Sequence, residues 1–245
     1  MSIQLKKSIP LAVALTLSAN HFVQANELAI PTHASDKVSD KASEKKSDYK
    51  RILMTKLSKL KFFTAHFSQQ VLDETGEVIE ESTGDIAISK PNLAYWQVLT
   101  PDELTIVSDG NNVWFYNPWI EQVSVYSLSA AISHTPILLL TSKDESLWQQ
   151  YNVTQQEQSN VKNQESFIIN AIDTNSQVRS LTLTFKASSQ GGQLTEFSFL
   201  DATGQLSHIK LTDFNDQQPP NTDLFNFVIP EDTQLDDQRI KSKNN

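Results

Sequence analysis

The stretch Phe63-Thr64-Ala65-His66-Phe67-Ser68-Gln69-Gln70-Val71 decides the fold. Phe63, Ala65, Phe67, Gln69 and Val71 alternate with Thr64, His66, Ser68 and Gln70. That period of two is the pattern of a half-buried strand with one apolar face. Just upstream, Tyr49, Ile52, Leu53, Leu57 and Leu60 recur at intervals of three and four, which predicts one face of an amphipathic helix ending near Phe62. Downstream, Asp73 to Gly76 predicts a turn, followed by a strand running towards Ile86 and Ile88.

The same rhythm predicts strands over 95–99, 104–107, 113–116, 122–126, 148–154, 167–172, 180–185, 194–200, 207–214 and 225–229. Asp109-Gly110, Gly191-Gly192 and Asp201-Ala202-Thr203-Gly204 supply turn chemistry between them. Short strands joined tightly without intervening helices predict an antiparallel sheet. One segment departs from the rhythm. Ala130, Ala131 and Ile132 suit a short helix, Pro136 breaks it or opens another, and Ile137 to Leu140 are apolar all round. This element predicts a lid over a curved sheet, or a plug in one mouth of a barrel.

The ends of the chain carry less fold information. Lys6 and Lys7, the apolar run from Ile9 to Leu17 and Val23-Gln24-Ala25 together predict a cleaved secretory leader over residues 1–25. The apolar run is too short for a membrane span, which needs about 20 residues. Cleavage takes away two lysines and no acid, leaving a more acidic mature chain. Residues 26–48 then repeat Ser-Asp-Lys, Ser-Asp-Lys and Ser-Glu-Lys every four residues, a composition expected of a solvated tether or a frayed helical lead-in. Residues 49–241 remain as a single folded domain, well within the size one β-rich domain reaches.

Composition narrows the function. The 245 residues hold 20 Lys+Arg against 29 Asp+Glu, a formal charge of −9 that argues against nucleic acid as a partner. Cysteine is absent, which removes disulfides, thiolate metal sites, a thiol nucleophile and the anchor of a bacterial lipoprotein. His66, His134 and His208 form no metal-binding pair, no Gly-x-Ser-x-Gly elbow occurs, and six glycines leave little for a phosphate cradle. Glu80-Glu81 and Asp236-Asp237 point to opposite faces of any strand that holds them. The expectation is a binding protein, with no catalytic residue, metal or cofactor. Its abundant aromatic mass, in Tyr95-Trp96, Trp114-Phe115-Tyr116, Trp119, Trp148 and Tyr151, fits a curved sheet enclosing an apolar ligand.

Several blocks taken in order resemble the LolA family of periplasmic lipoprotein carriers. They are Phe63-Thr-Ala-His-Phe67-Ser-Gln69, Gly84-Asp-Ile-Ala-Ile88-Ser-Lys90-Pro91-Asn-Leu93 with Trp96, Ser108-Asp109-Gly110-Asn-Asn-Val-Trp114-Phe-Tyr116-Asn-Pro118 and Glu121-Gln122. Thr135-Pro136, Trp148-Gln149-Gln150-Tyr151, Phe227-Val-Ile-Pro230 and Leu235-Asp236-Asp237-Gln238-Arg239 complete the series. The resemblance implies an unclosed, highly curved antiparallel half-barrel with a helical lid. It also implies acylated lipoproteins as cargo, the inner-membrane LolCDE transporter as donor and the outer-membrane receptor LolB as acceptor. The protein is then a soluble periplasmic monomer. A lipid- or lipoprotein-sensing module on the same fold is the alternative.

The resemblance further implies a lid latch at Lys90, where the family carries an arginine that bonds lid carbonyls. Lysine keeps the charge but loses the planar fork, so a looser latch is expected. Ala94 stands where relatives carry a bulky aromatic at the cavity mouth. Cavity residues are expected at Phe63, Phe67, Ile86, Ile88 and Leu93, then Trp96, Ile106, Trp114 and Tyr116, with Ile137, Leu138 and Leu139 from the lid. Strand parity pairs these residues on shared faces and leaves open which face is concave.

Overall fold

The computed structural model describes residues 39–132, 135–142, 145–156, 163–186 and 192–239, with side chains from Asp48 onward except those of residues 136, 137 and 145. The expected leader therefore lies outside the described residues. Helix α1 (Ser39–Lys59) begins within the polar stretch ahead of Tyr49. Leu53 and Leu57, one turn apart, are buried, and Tyr49, Met54 and Leu60 pack beside them. Ile52, expected on that face, is 38% exposed. Lys56 and Lys59 in the last turn suit the negative end of the helix dipole.

The sheet then runs through β1 (Phe62–Leu72), β2 (Val78–Ser89), β3 (Leu93–Thr100), β4 (Leu104–Asp109), β5 (Asn112–Asn117) and β6 (Gln122–Ser127). A strap follows: α2 (Leu128–Ile132), a 3₁₀ turn at Pro136–Leu140 and α3 (Glu145–Trp148). Five more strands return: β7 (Tyr151–Gln155), β8 (Gln164–Ala171), β9 (Val178–Lys186), β10 (Gln193–Asp201) and β11 (Leu206–Asn215). A 3₁₀ turn at Thr222–Phe225 and β12 (Gln234–Asp237) end the described chain. Spatial order is β12-β6-β5-β4-β3-β2-β1-β11-β10-β9-β8-β7. Every pairing is antiparallel except β12 on β6, which is parallel.

Two expectations need correction. Residues 225–229 are not a strand; the final strand is β12, some residues later. Trp148 closes α3 instead of opening β7. In both places apolar residues press against the sheet from outside its ladder, so their burial does not require strand pairing.

The two meanders, β1–β6 and β7–β11, meet at the β1–β11 seam. Register breaks between Thr64 and His66 in that seam and between Thr83 and Gly84 on β2 bend the sheet. Gly84 sits at the tightest approach: a Cβ there would lie 1.8 Å from the Gln97 carbonyl oxygen and 2.7 Å from Phe67 Cζ. Two matching turns brace the bottom of the seam. Asp73 Oδ1 accepts from Thr75 N at 2.9 Å and Glu77 N at 3.0 Å, while Asp201 Oδ1 accepts from Thr203 N at 2.8 Å and Gln205 N at 2.9 Å. Gly76 and Gly204 supply the positive φ in each Asp-x-Thr-Gly turn.

Candidate functional site: a lidded apolar face

Register fixes which side chains share the concave face. One row runs Phe63, Ile88, Ala94, Ser108, Val113 and Tyr126; the next runs Ala65, Ile86, Trp96, Ile106, Phe115 and Ser124. From the other wing come Leu211, Ile209, Phe197, Leu183 and Phe167. All the apolar members belong to, or pack against, one hydrophobic cluster. The curl is tight enough to bring β3 against β10 across three intervening strands. Trp96 stacks on Phe67 at 4.1 Å and meets Phe197 edge-on at 6.0 Å.

The strap spans the mouth of this concavity. It leaves the sheet at β6, one strand in from one margin, and re-enters at β7, the opposite margin. Ala131, Ile132, Leu138, Leu139 and Leu140 are all buried in the cluster. A leucine removed completely from water contributes about 1.5–3 kcal/mol, so these side chains hold the strap down. Helix α1 closes the β7 side. Lys50 Nζ donates to the carbonyls of Trp148 and, at 3.4 Å, Tyr151, and burial lowers its pKa. Lys56 pairs with Glu165 at 2.8 Å, a partly exposed contact of small worth.

The corner between β2 and β3 fastens both covers. Lys90 Nζ donates to Leu57 O at 2.6 Å, in the last turn of α1. Two residues on, Asn92 N–H donates to Thr141 O at 3.2 Å, at the end of the Pro136–Leu140 turn. Asn92 O in turn accepts from the fully buried Ser108 hydroxyl at 2.5 Å. Lys90 thus holds a carbonyl of α1, and main chain at Asn92 reaches the strap. Asn92 and Thr141 were invisible to sequence reasoning, because a main-chain bond leaves no mark on side-chain identity.

Of the expected cavity residues, Phe63, Phe67, Ile86, Ile88, Trp96, Ile106, Leu138 and Leu139 come together in the buried cluster. The side chain of Ile137 lies outside the described residues. Leu93, Trp114 and Tyr116 need correction: their register places them on the convex face, one residue out of step with Ala94, Val113 and Phe115. There Trp114 and Tyr116 meet Phe227 at 5.5 and 6.2 Å, and Arg239 lies 5.9 Å from the Trp114 ring. Val107, Val123 and Val125 share this outer layer, each at most 2% exposed, and β12 seals its margin along β6.

Asp109 organises that layer. It accepts from Asn111 N, Asn112 N and Trp114 Nε1 at 2.8, 2.7 and 2.9 Å. Burial pushes its carboxyl up, but these bonds together hold it below the usual carboxylate range. Also on the convex side is a polar groove of about 350 Å³ lined by Ser68, Gln70, Glu81, Thr83, Thr100 and His208. His66 contacts Asp85 nearby. Among the described residues no group of three or more His, Asp or Glu is placed to hold a metal.

An incomplete, strongly curved barrel with an apolar concave face under a helical strap defines a protein built to shelter apolar matter. The family model described as outer membrane lipoprotein carrier protein LolA matches residues 58–228. An outer-membrane lipoprotein carrier protein of Shewanella halifaxensis is 39% identical over 198 residues, covering 81% of this chain and 88% of that one. Its counterpart in Psychromonas ingrahamii is 40% identical over 189 residues, covering 77% and 87%. The chain belongs to the LolA family, whose members are carriers and not enzymes. Among solved structures, an uncharacterized conserved protein from Thermus thermophilus shares the fold with a TM-score of 0.51. Its identity is 13%, and the match covers 78% of this chain and 99% of that one.

Proposed function

We propose that this protein carries lipoproteins through the periplasm with their acyl chains against the concave face. On this reading it takes them from an inner-membrane LolCDE transporter and gives them to the receptor LolB. The observation that carries the reading is the strap, whose buried leucines occupy an apolar face that other hydrocarbon could occupy instead. Each methylene kept from water is worth about 0.8 kcal/mol, so a long acyl chain in water costs on the order of 10 kcal/mol. Ligand-free, Leu138 to Leu140 cover the face; loaded, the chains replace them. Exchange of one apolar occupant for another keeps the net free energy small, which lets a receptor with greater affinity draw the cargo off without an energy source. Residues 1–25 serve as the export leader and residues 49–241 as the carrier domain.

Spheroplasts carrying labelled lipoprotein test the proposal. Added mature protein should release the lipoprotein from the inner membrane as a soluble one-to-one complex. Retention of the lipoprotein in the membrane, with a matched transporter present, overturns the reading.

A further inference from the structure

Four buried side-chain polar atoms have no hydrogen-bond partner among the described residues: Glu80 Oε2, Asn92 Oδ1, Trp96 Nε1 and Trp148 Nε1. Glu80 has a remedy, since burial, and then the nearby Asp102, raise its pKa towards the neutral acid. Asn92 belongs to the corner that fastens the strap. The two indoles have no remedy. An indole nitrogen is a donor only and cannot shed its proton, so each carries the desolvation penalty of an unmade bond. Phenylalanine would fill similar space without that penalty. Yet Trp96 and Trp148 are 6% and 2% exposed, and both lie within the lidded apolar cluster. Trp114 shows the contrast: on the convex face its Nε1 is satisfied by Asp109 at 2.9 Å.

We propose that the Trp96 and Trp148 N–H groups are kept for carbonyl oxygens of the cargo's acyl linkages, with Trp96 the principal donor. The inference rests on the lipoprotein-carrier reading. An acyl chain is hydrocarbon that ends in an ester or amide carbonyl, and that oxygen needs a donor once it leaves water. Strand N–H groups on this face are spent in the ladder, and the hydroxyls of Ser108 and Thr141 are committed to Asn92 O and Leu138 O. Trp96 is held rigidly between Phe67 and Phe197 on β3, so its N–H has a fixed direction. A fixed donor sets how deep the chain can slide and distinguishes acyl chains from alkyl chains of equal length.

The test compares two synthetic lipopeptides, one with two palmitoyl esters on an S-glyceryl cysteine and one with the same chains as ethers. The mature protein should bind the ester form about tenfold more tightly. With ¹⁵N-labelled indoles, the Trp96 N–H resonance should move downfield with the ester lipopeptide and not with the ether. Trp114 serves as the unmoved control. Trp96→Phe should reduce the preference to about twofold while ether binding persists. Equal affinity for the two lipopeptides, or an unmoved Trp96 resonance, overturns the inference and leaves the carrier reading intact. Failure to bind either lipopeptide removes both. Should Trp96→Phe not fold, the wild-type preference and resonance still decide.

Discussion

The two faces of β3–β6 are both apolar and both covered, but by covers of different kinds. On the concave side the strap contributes aliphatic side chains, with main-chain fastenings such as Asn92 N–H to Thr141 O and Leu128 N–H to Asn111 O and the Lys50 side chain on Trp148 O. On the convex side the C-terminal segment adds ring stacking on Phe227, the Asp109–Trp114 bond and a parallel strand on β6. Hydrophobic contact alone is non-directional and accepts a substitute; strand pairing and buried polar bonds do not. Sequence hydrophobicity therefore marks both faces alike. Only the convex cover adds a strand to the sheet.

The strongest challenge to this contrast is to the curl itself. Gly84→Ala forces a Cβ into the Gln97 carbonyl and the Phe67 ring, and should cost about 3 kcal/mol or more by urea denaturation. A loss under about 1 kcal/mol would mean that the sheet flattens freely and that its curvature is not fixed at this point. Next, Trp114→Ala should lower global stability by about 2 kcal/mol, below the cost at a fully buried site because the ring is only half-buried. Leu138→Ala should do less to the urea midpoint, because strap opening caps the loss. It should instead speed amide exchange in the strap about tenfold or more. If the two variants behaved alike, the faces would not differ in kind.

Acidity sharpens the same comparison, because the two faces carry carboxyls shifted in opposite directions. Asp109 titrates below its unfolded value of about 3.9, so its stabilisation is complete above that pH and fades as pH falls through the folded value. Glu80 shares the concave side of β2 with Ser82, Gly84 and Ile86, and titrates above its unfolded value of about 4.3. Its stability penalty grows as pH rises from that value towards the folded one, then stays constant. Asp109→Asn should therefore destabilise at pH 7 and matter less near pH 3, while Glu80→Gln should stabilise at pH 7 and be neutral below about pH 4. Urea midpoints across that range read both signs, and matching signs would refute the assignment. The smallest effect belongs to Lys90→Met, which removes the bond to Leu57 O and should cost about 0.5–1.5 kcal/mol, with Lys90→Arg restoring it.

Most strands were legible because alternation in segments such as Phe63 to Val71 reports one wet face. Where both faces are covered, alternation loses its meaning. Leu93, Trp114 and Tyr116 are apolar for the sake of the convex layer, and nothing in their spacing distinguishes them from Ala94, Val113 and Phe115. The last strand, Gln-Leu-Asp-Asp, has no hydrophobic pattern, since it pairs at a margin and is largely exposed. Phe225 to Ile229 resembles a strand because Phe225 and Phe227 are needed for packing. Lys90 was singled out by the family resemblance alone, whereas its bond to Leu57 O and the Asn92 link to the strap depend on main-chain positions that only three dimensions reveal.

The seam has a consequence for synthesis. β1 is the first strand made, and its second neighbour, β11, is nearly the last. Until Leu206–Asn215 is also free to pair, β1 keeps one flank of unsatisfied N–H and C=O groups beside Phe63 and Phe67. A chain stopped at residue 205 should show the exposed edge as rapid aggregation, relieved by supplying the 206–215 peptide in trans. The central pairing of the finished protein is thus among the last to become available to the growing chain.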